Sequence, residues 1–269
     1  DGYHELESVM QTVSLYDLLE MDLHTGKDWA LCCDREDIPC DSRNLAWKAA
    51  KIFCDTMKID PDGLAIRITK RIPSGAGLGG GSADAAAVLR ALNRQFGRFS
   101  PEQLAELALR VGSDVPYCLA GGTMLAEGIG EVLTPLPHAP QAFVVLCKPP
   151  VAVSTPAIYR AIDSVDIARR PDTQAMLRAL KDGDLQAVSA LLYNVMQPVT
   201  ANMHPEIEDI CRMMREHGAM NAIMSGSGPT VFGLFADRER AEKAKKFLAA
   251  HYEEVFLTKF CRAGQVKQA

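Results

Sequence analysis

The segment Pro73-Ser74-Gly75-Ala76-Gly77-Leu78-Gly79-Gly80-Gly81-Ser82-Ala83 places five glycines within positions 75 to 81. Glycine permits positive φ and leaves no Cβ in front of the backbone N–H groups, so such a run can turn several donors toward one point. Where the run enters the first turn of a helix, the free N–H groups add partial positive charge, and the combination is an anion cradle suited to phosphate. Asp114, in Gly112-Ser113-Asp114-Val115-Pro116, is a carboxylate in a short turn bounded by glycine and proline. Set beside an acceptor hydroxyl, a carboxylate can orient it and take its proton during phosphoryl transfer; the same residues also make an ordinary Asx turn. A second glycine-rich turn, Met224-Ser225-Gly226-Ser227-Gly228-Pro229-Thr230, is by itself no more than a hairpin connection.

These groups are useful only if the flanking elements hold them. Residues 64 to 69 (Leu-Ala-Ile-Arg-Ile-Thr) alternate apolar and polar, the period of a half-buried strand, and Ala85, Val88, Leu89 and Leu92 recur at helical spacing. A glycine run between a periodic strand and a periodic helix is a structured loop, not a linker. It is not a Walker loop, because no lysine occurs between Lys70 and Lys148. Gly75-Ala76-Gly77-Leu78-Gly79-Gly80 fits the dinucleotide fingerprint, which requires a second strand ending in an acidic residue; Ser100-Pro101-Glu102-Gln103 instead caps another helix, leaving that reading a minor alternative. A protein kinase is excluded by the lack of a Val-Ala-Ile-Lys strand and a His-Arg-Asp loop.

Along the rest of the chain, strands are expected at 8–13, 18–23 and 29–33 and an amphipathic helix at 44–57. A helix opening at Ser100 should end at Gly112, with Asp114 partly buried just beyond it, and a hairpin should turn at Gly128-Ile129-Gly130. The proline-rich segment 135–140 marks an expected domain boundary, giving domains 1–140 and 141–269. The second part reads as strands at 142–147, 222–224, 230–235 and 255–260, with helices at 155 onward, 173–180, 185–192, 205–217 and 238–250. That pattern predicts an antiparallel sheet covered on one face by helices, hence an α+β chain.

The 269 residues are 48% hydrophobic and 23% charged, a globular composition that accommodates about two domains. A net charge of -5 without a basic patch argues against a nucleic-acid partner, and no run is apolar enough to predict a membrane span. Cys32, Cys33, Cys40 and His24 could gather a zinc ion, but eight cysteines without a Cys-x-x-Cys pair read better as thiols of a reducing, cytoplasmic compartment. None of these features encodes an oligomeric state.

Pro-x-Gly-x-Gly-Leu-Gly-x-x-Ser-Ala before an alanine-rich helix resembles the phosphate loop of the GHMP kinases, the family of galactokinase, homoserine kinase and mevalonate kinase. Gly112-Ser113-Asp114-Val115-Pro116 is similar to the Gly-[Ala/Ser]-Asp-Val-Pro segment of the branch that phosphorylates a cytidine-diphosphate-linked methylerythritol, and Ser225-Gly226-Ser227-Gly228-Pro229 to the family's third motif. Asp1-Gly2-Tyr3-His4 resembles the signature of the same branch. The resemblance implies an ATP-dependent small-molecule kinase of isoprenoid biosynthesis. It implies a two-domain fold, ribosomal protein S5 domain 2-like at the N-terminus and ferredoxin-like at the C-terminus.

By resemblance, residues 73–83 hold ATP and Asp114 is the general base. Tyr3 and His4 stack on and hydrogen-bond cytosine, Tyr159 closes the base sandwich, and Gly226 and Ser227 line the substrate. Ser82 supplies an oxygen to magnesium or to phosphate, Glu106 is a solvated helix glutamate or a further metal ligand, and Lys70 and Arg71 flank the nucleotide or are plain strand-end charges. The family opens with a Pro-Ala-Lys-[Ile/Leu]-Asn strand whose lysine assists the aspartate and has no counterpart in this sequence. The native protein is therefore expected to be about twenty residues longer at its N-terminus, one strand and a turn. Two other readings stand beside this one: a homoserine- or mevalonate-type GHMP kinase, and a non-catalytic GHMP-like ligand-binding protein.

Overall fold

The computed structural model describes residues 5–26, 28–165, 167 and 169–264. Tyr3 and His4 lie outside the described residues. The first part of the chain runs β1 (Leu6–Gln11), β2 (Leu18–Leu23), β3 (Ala30–Cys33), α1 (Leu45–Met57), β4 (Leu64–Thr69), α2 (Gly80–Phe96), α3 (Pro101–Val111), α4 (Val115–Ala120), β5 (Thr123–Gly128) and β6 (Val132–Pro135). Two sheets result: β1-β5-β6, antiparallel, and β2-β4-β3, in which β3 runs parallel to β4.

Alternation in β4 buries Leu64, Ile66 and Ile68 on one face, where they meet Ala85, Val88, Leu89 and Leu92 of α2 and Ala49 and Phe53 of α1. Each fully buried aliphatic side chain contributes about 1.5–3 kcal/mol, so this contact fixes the strand and helix on either side of the glycine loop. Local signals fix the ends. Asn44 accepts a hydrogen bond from the Ala46 N–H at the start of α1, and Ser100 with Gln103 forms a complete capping box on α3.

The second part runs β7 (Phe143–Lys148), α5 (Thr155–Ile162), α6 (Thr173–Asp182), α7 (Leu185–Ala190), α8 (Gln197–Met203), α9 (Glu206–Glu216), β8 (Asn221–Met224), β9 (Val231–Phe235), α10 (Arg238–Leu248) and β10 (Glu254–Lys259). Its four strands pair antiparallel in the order β10-β7-β9-β8. With α9 and α10 as the crossing helices this is the β-α-β-β-α-β ferredoxin-like arrangement. The sheet is covered on both faces and not on one. Val145 and Cys147 pack with Ile207, Ile210 and Met214 of α9, while Val144 and Leu146 face Leu180 of α6, Val188 of α7 and, from the first part, Val9, Val13 and Leu78. The unbroken run Val144-Val145-Leu146-Cys147 is what burial on two faces requires.

The two parts are stitched together beside β1. Val13 pairs with Phe260, the Cys261 N–H donates to Thr12 O at 2.8 Å, and Gln11 Nε2 donates to Cys261 O at 2.9 Å. No described helix is long and apolar enough to cross a membrane.

Candidate active site

Helix α2 begins at Gly80, earlier than the alanine periodicity suggests, so Gly80 and Gly81 belong to its first turn. Gly79 caps it in the left-handed conformation (φ 66°), and the Ala83 N–H is bonded back to Gly79 O at 2.8 Å. The N–H groups ahead of Ala83 are those a helix leaves without an intrahelical acceptor. Pro73 and Ala76 are buried, and Leu78 packs toward Val9 and Val13; these three anchor the loop, whereas Gly75, Gly77 and Gly81 are exposed. The exposed stretch is a backbone cradle of the kind that binds phosphate.

The second glycine turn docks against this loop. Ser225 Oγ donates to Gly77 O at 2.9 Å, and the Thr230 N–H reaches Ala76 O at 3.4 Å. A Cβ at Gly77 (φ 69°) would stand 2.5 Å from Ser225 O and 2.8 Å from Gly228 O, so only glycine lets the two backbones approach this closely. Gly226 is exposed, and Ser227 Oγ lies 2.8 Å from Thr155 Oγ1, tying the turn to the first residue of α5. Tyr159, one turn further along α5, is half-buried; burial raises its phenol pKa, and the negative charge of Asp114 raises it further.

Asp114 is the N-cap of α4, a helix of six residues where the sequence suggested only a turn, with Pro116 accommodated in its first turn. Its side chain caps nothing and is exposed, contrary to the expected partial burial, yet the protein surrounds it enough for desolvation to raise its carboxyl above the usual 3.8. Asp114 is thus an exposed residue whose carboxyl nevertheless has protein packed close around it. Three elements meet there. Cys118, one turn along α4, places its sulfur 4.0 Å from Gly79 O; a Cβ at Gly130 in the β5–β6 tip would stand 4.0 Å from Asp114 Oδ1; and Tyr159 senses the Asp114 charge. The Cys118 thiol, pushed up to about 12 mainly by burial, stays protonated and serves as packing, not as a nucleophile.

Lys70 neither flanks a nucleotide at the surface nor stands idle. It is buried with Asp17 and Asp84, its Nζ bonded to Asp17 Oδ2 and, at 2.8 Å, to Asp84 Oδ2. Burial acts to lower the Lys70 ammonium, but the two carboxylates outweigh it and raise it. Burial also raises the Asp84 carboxyl well above 3.8, against the pull of Lys70, and Asp84 Oδ1 has no hydrogen-bond partner. Arg71 is exposed, with its guanidinium 5.6 Å from the Tyr16 ring. Glu106 is exposed on α3. Ser82 is buried in the first turn of α2.

Among the described residues no three His, Cys, Asp or Glu side chains gather as a metal cage. Ser82, in the first turn of α2, and Asp114, at the start of α4, each offer an oxygen of the kind that a hard cation held mainly by phosphate oxygens and water would use.

Three residues had no signal of their own in the sequence. Asn194 Nδ2 donates to Met224 O at 2.9 Å and Gly226 O at 2.8 Å, shaping the second glycine turn. One guanidinium nitrogen of Arg90 on α2 donates to both Cys118 O and Leu119 O at 2.6 Å, closing the end of the helix that Asp114 begins. Asp17, between β1 and β2, accepts from the Arg71 and Ile72 N–H groups as well as from Lys70. Their partners lie far away in the chain, so only the fold reveals them.

The family model described as GHMP kinases N terminal domain matches residues 44–122, and that described as GHMP kinases C terminal matches residues 176–254. The 4-diphosphocytidyl-2-C-methyl-D-erythritol kinase of Caldicellulosiruptor saccharolyticus is 43% identical, over 97% of this chain and 90% of that relative. A crystal structure of 4-(cytidine 5'-diphospho)-2C-methyl-D-erythritol kinase superposes with a TM-score of 0.81 at 33% identity, covering 96% of this chain and 91% of that one. L. major mevalonate kinase in complex with R-mevalonate shares the fold, with a TM-score of 0.78 at 21% identity over 97% and 91% of the two chains.

Proposed function

The chain belongs to the GHMP kinases, and from that premise we infer that it transfers the γ-phosphoryl group of ATP to a hydroxyl of 4-diphosphocytidyl-2-C-methyl-D-erythritol, a step of isoprenoid precursor biosynthesis. The observation that carries the acceptor is 43% identity over 97% of the chain with a kinase of that name; likeness to mevalonate kinase extends to the fold alone. The geometry supports the chemistry. Phosphoryl transfer asks a protein chiefly to position the two substrates and offset developing charge. Gly75, Gly77, Gly79, Gly80 and Gly81 would offer backbone N–H groups to the triphosphate.

Asp114 would orient the acceptor hydroxyl and take its proton; its raised carboxyl makes it a better proton acceptor than an ordinary aspartate while leaving it accessible. Gly226 and Ser227 would line the acceptor, and Tyr159 would pack on its base. Magnesium, which would arrive on the nucleotide with Ser82 as a protein oxygen beside it, supplies charge neutralisation. Tyr3 and His4 complete the base site in this reading.

The test is ATP turnover by the purified full-length protein with the cytidylated methylerythritol, homoserine and mevalonate offered separately. Turnover with the first alone is expected. Preference for homoserine or mevalonate would reassign the acceptor, and turnover with none would favour a binding protein.

Tyr159→Ala is expected to raise KM for the cytidylated acceptor and leave KM for ATP in place, since one aromatic–base stack contributes about 1–3 kcal/mol. Steady-state kinetics with each substrate varied in turn checks it; a matching rise for ATP would place Tyr159 on the other nucleotide.

A further inference from the structure

The start of the glycine loop is held almost wholly by carboxylates. Beyond the last residue of β4, the Lys70 N–H donates to Asp34 Oδ1 at 2.9 Å, and the Arg71 and Ile72 N–H groups both donate to Asp17 Oδ1. Asp17 Oδ2 takes the Lys70 ammonium, which reaches on to Asp84 in α2, beyond the far end of the loop. The two ends also touch directly, because a Cβ on Gly80 would stand 3.0 Å from Ile72 Cγ2 and 3.4 Å from Lys70 Nζ. Gly80 thus faces the loop's own interior, and a larger residue there would push on Lys70 before it met a ligand.

We propose that Asp17, Lys70 and Asp84 are positioning residues that clamp both ends of loop 73–79 and thereby set its affinity for the nucleotide phosphates. The proposal rests on the reading of 73–83 as the phosphate loop. Stability alone does not account for the cluster. Three charges whose side chains are at most 5% exposed carry a large desolvation cost, and apolar residues of similar volume commonly stabilise a protein at least as well. What an apolar replacement cannot do is satisfy the Arg71 and Ile72 N–H groups from one side and hold α2 at a fixed distance from the other. A cradle of backbone donors depends on such distances, since a displacement of about 1 Å can cost about 10²-fold in rate. None of the three side chains needs to touch the ligand; they act through the loop.

Asp84→Ala cuts the tie to α2, and Asp84→Asn keeps an oxygen for Lys70. Isothermal calorimetry with ADP, KM for ATP and for the acceptor, and thermal melting are measured on the full chain. Asp84→Ala is expected to weaken ADP binding and raise KM for ATP by about 10²-fold, with acceptor KM unchanged, and Asp84→Asn is expected to recover most of that loss. A folded Asp84→Ala that bound ADP as tightly as the native chain, or that weakened ATP and acceptor equally, would overturn the proposal.

If Asp84→Ala fails to fold, Asp17→Asn decides by the same criterion, because it keeps an oxygen for the two N–H groups while weakening the hold on Lys70. Failure of the native chain to bind ADP would instead sink the phosphate-loop reading. Native binding with unaffected variants would sink only the clamp.

Discussion

Asp114→Asn is expected to lower kcat by about 10²–10⁴-fold while nucleotide binding survives, because the amide keeps the shape of the side chain and loses the proton acceptor. The side chain caps no helix N–H, so the substitution disturbs no structural bond of α4. Stability should move the other way. A carboxyl whose pKa is raised in the folded state is harder to ionise there than in the unfolded chain, so above its unfolded pKa the ionised group works against folding, and that penalty fades as pH falls through the folded value. The asparagine variant should therefore melt at or above the native temperature at neutral pH. In the native enzyme, kcat/KM should fall as pH drops through the Asp114 pKa, on a limb displaced above that of an ordinary aspartate. A variant turning over nearly as fast as the native enzyme would remove Asp114 from the role of base, and one that melted well below it would contradict the desolvation of its carboxyl.

Gly77→Ala should be almost as damaging, for a reason confined to two backbones. The new methyl group would sit 2.5 Å from Ser225 O and 2.8 Å from Gly228 O, and neither carbonyl belongs to a flexible side chain that could swing away. The left-handed backbone adds about 1–2 kcal/mol for any residue with a Cβ. One of the two glycine turns must give way, so ADP affinity is expected to fall about 10²-fold. Gly75→Ala is the control. It carries the same backbone penalty at φ 57°, but its Cβ meets nothing within 4 Å, so its effect should be limited to the conformational term. Calorimetry on the pair separates docking from strain, and equal losses would show that the contact with Ser225 and Gly228 is unimportant.

The sequence was readable where structure is determined by neighbours a few residues apart. The alternation over 64–69, the capping box at Ser100 and Gln103, and the apolar spacing of Ala85, Val88, Leu89 and Leu92 each specify an element locally, and the glycine loop was placed correctly between two of them. It was unreadable where the cause is distant. Helix α8 has Pro198 in its first turn and no side-chain cap; Gln197 Oε1 on the Met224 N–H and the buried Thr200 hold it against the second glycine turn. Lys70 looked like a strand-end charge because its partners lie 53 and 14 residues away. The β5–β6 tip was predicted as a turn, but nothing in Gly128-Ile129-Gly130 announces that it leans over Asp114.

The stitch between residues 11–14 and 258–261 also bears on how the protein is made. Ser14 N–H bonds to Lys259 O at 2.9 Å and Ser14 Oγ lies 2.8 Å from Thr258 Oγ1, so this segment is completed by one that is synthesised 244 residues later. Contacts of such sequence separation close large loops and slow folding. During translation the β7–β10 sheet cannot shield Val9 and Val13 until β10 has left the ribosome, so these apolar residues stay uncovered for most of synthesis. Released chains that end before residue 254 should accordingly be more susceptible to aggregation and to chaperone capture than released chains that extend beyond residue 263.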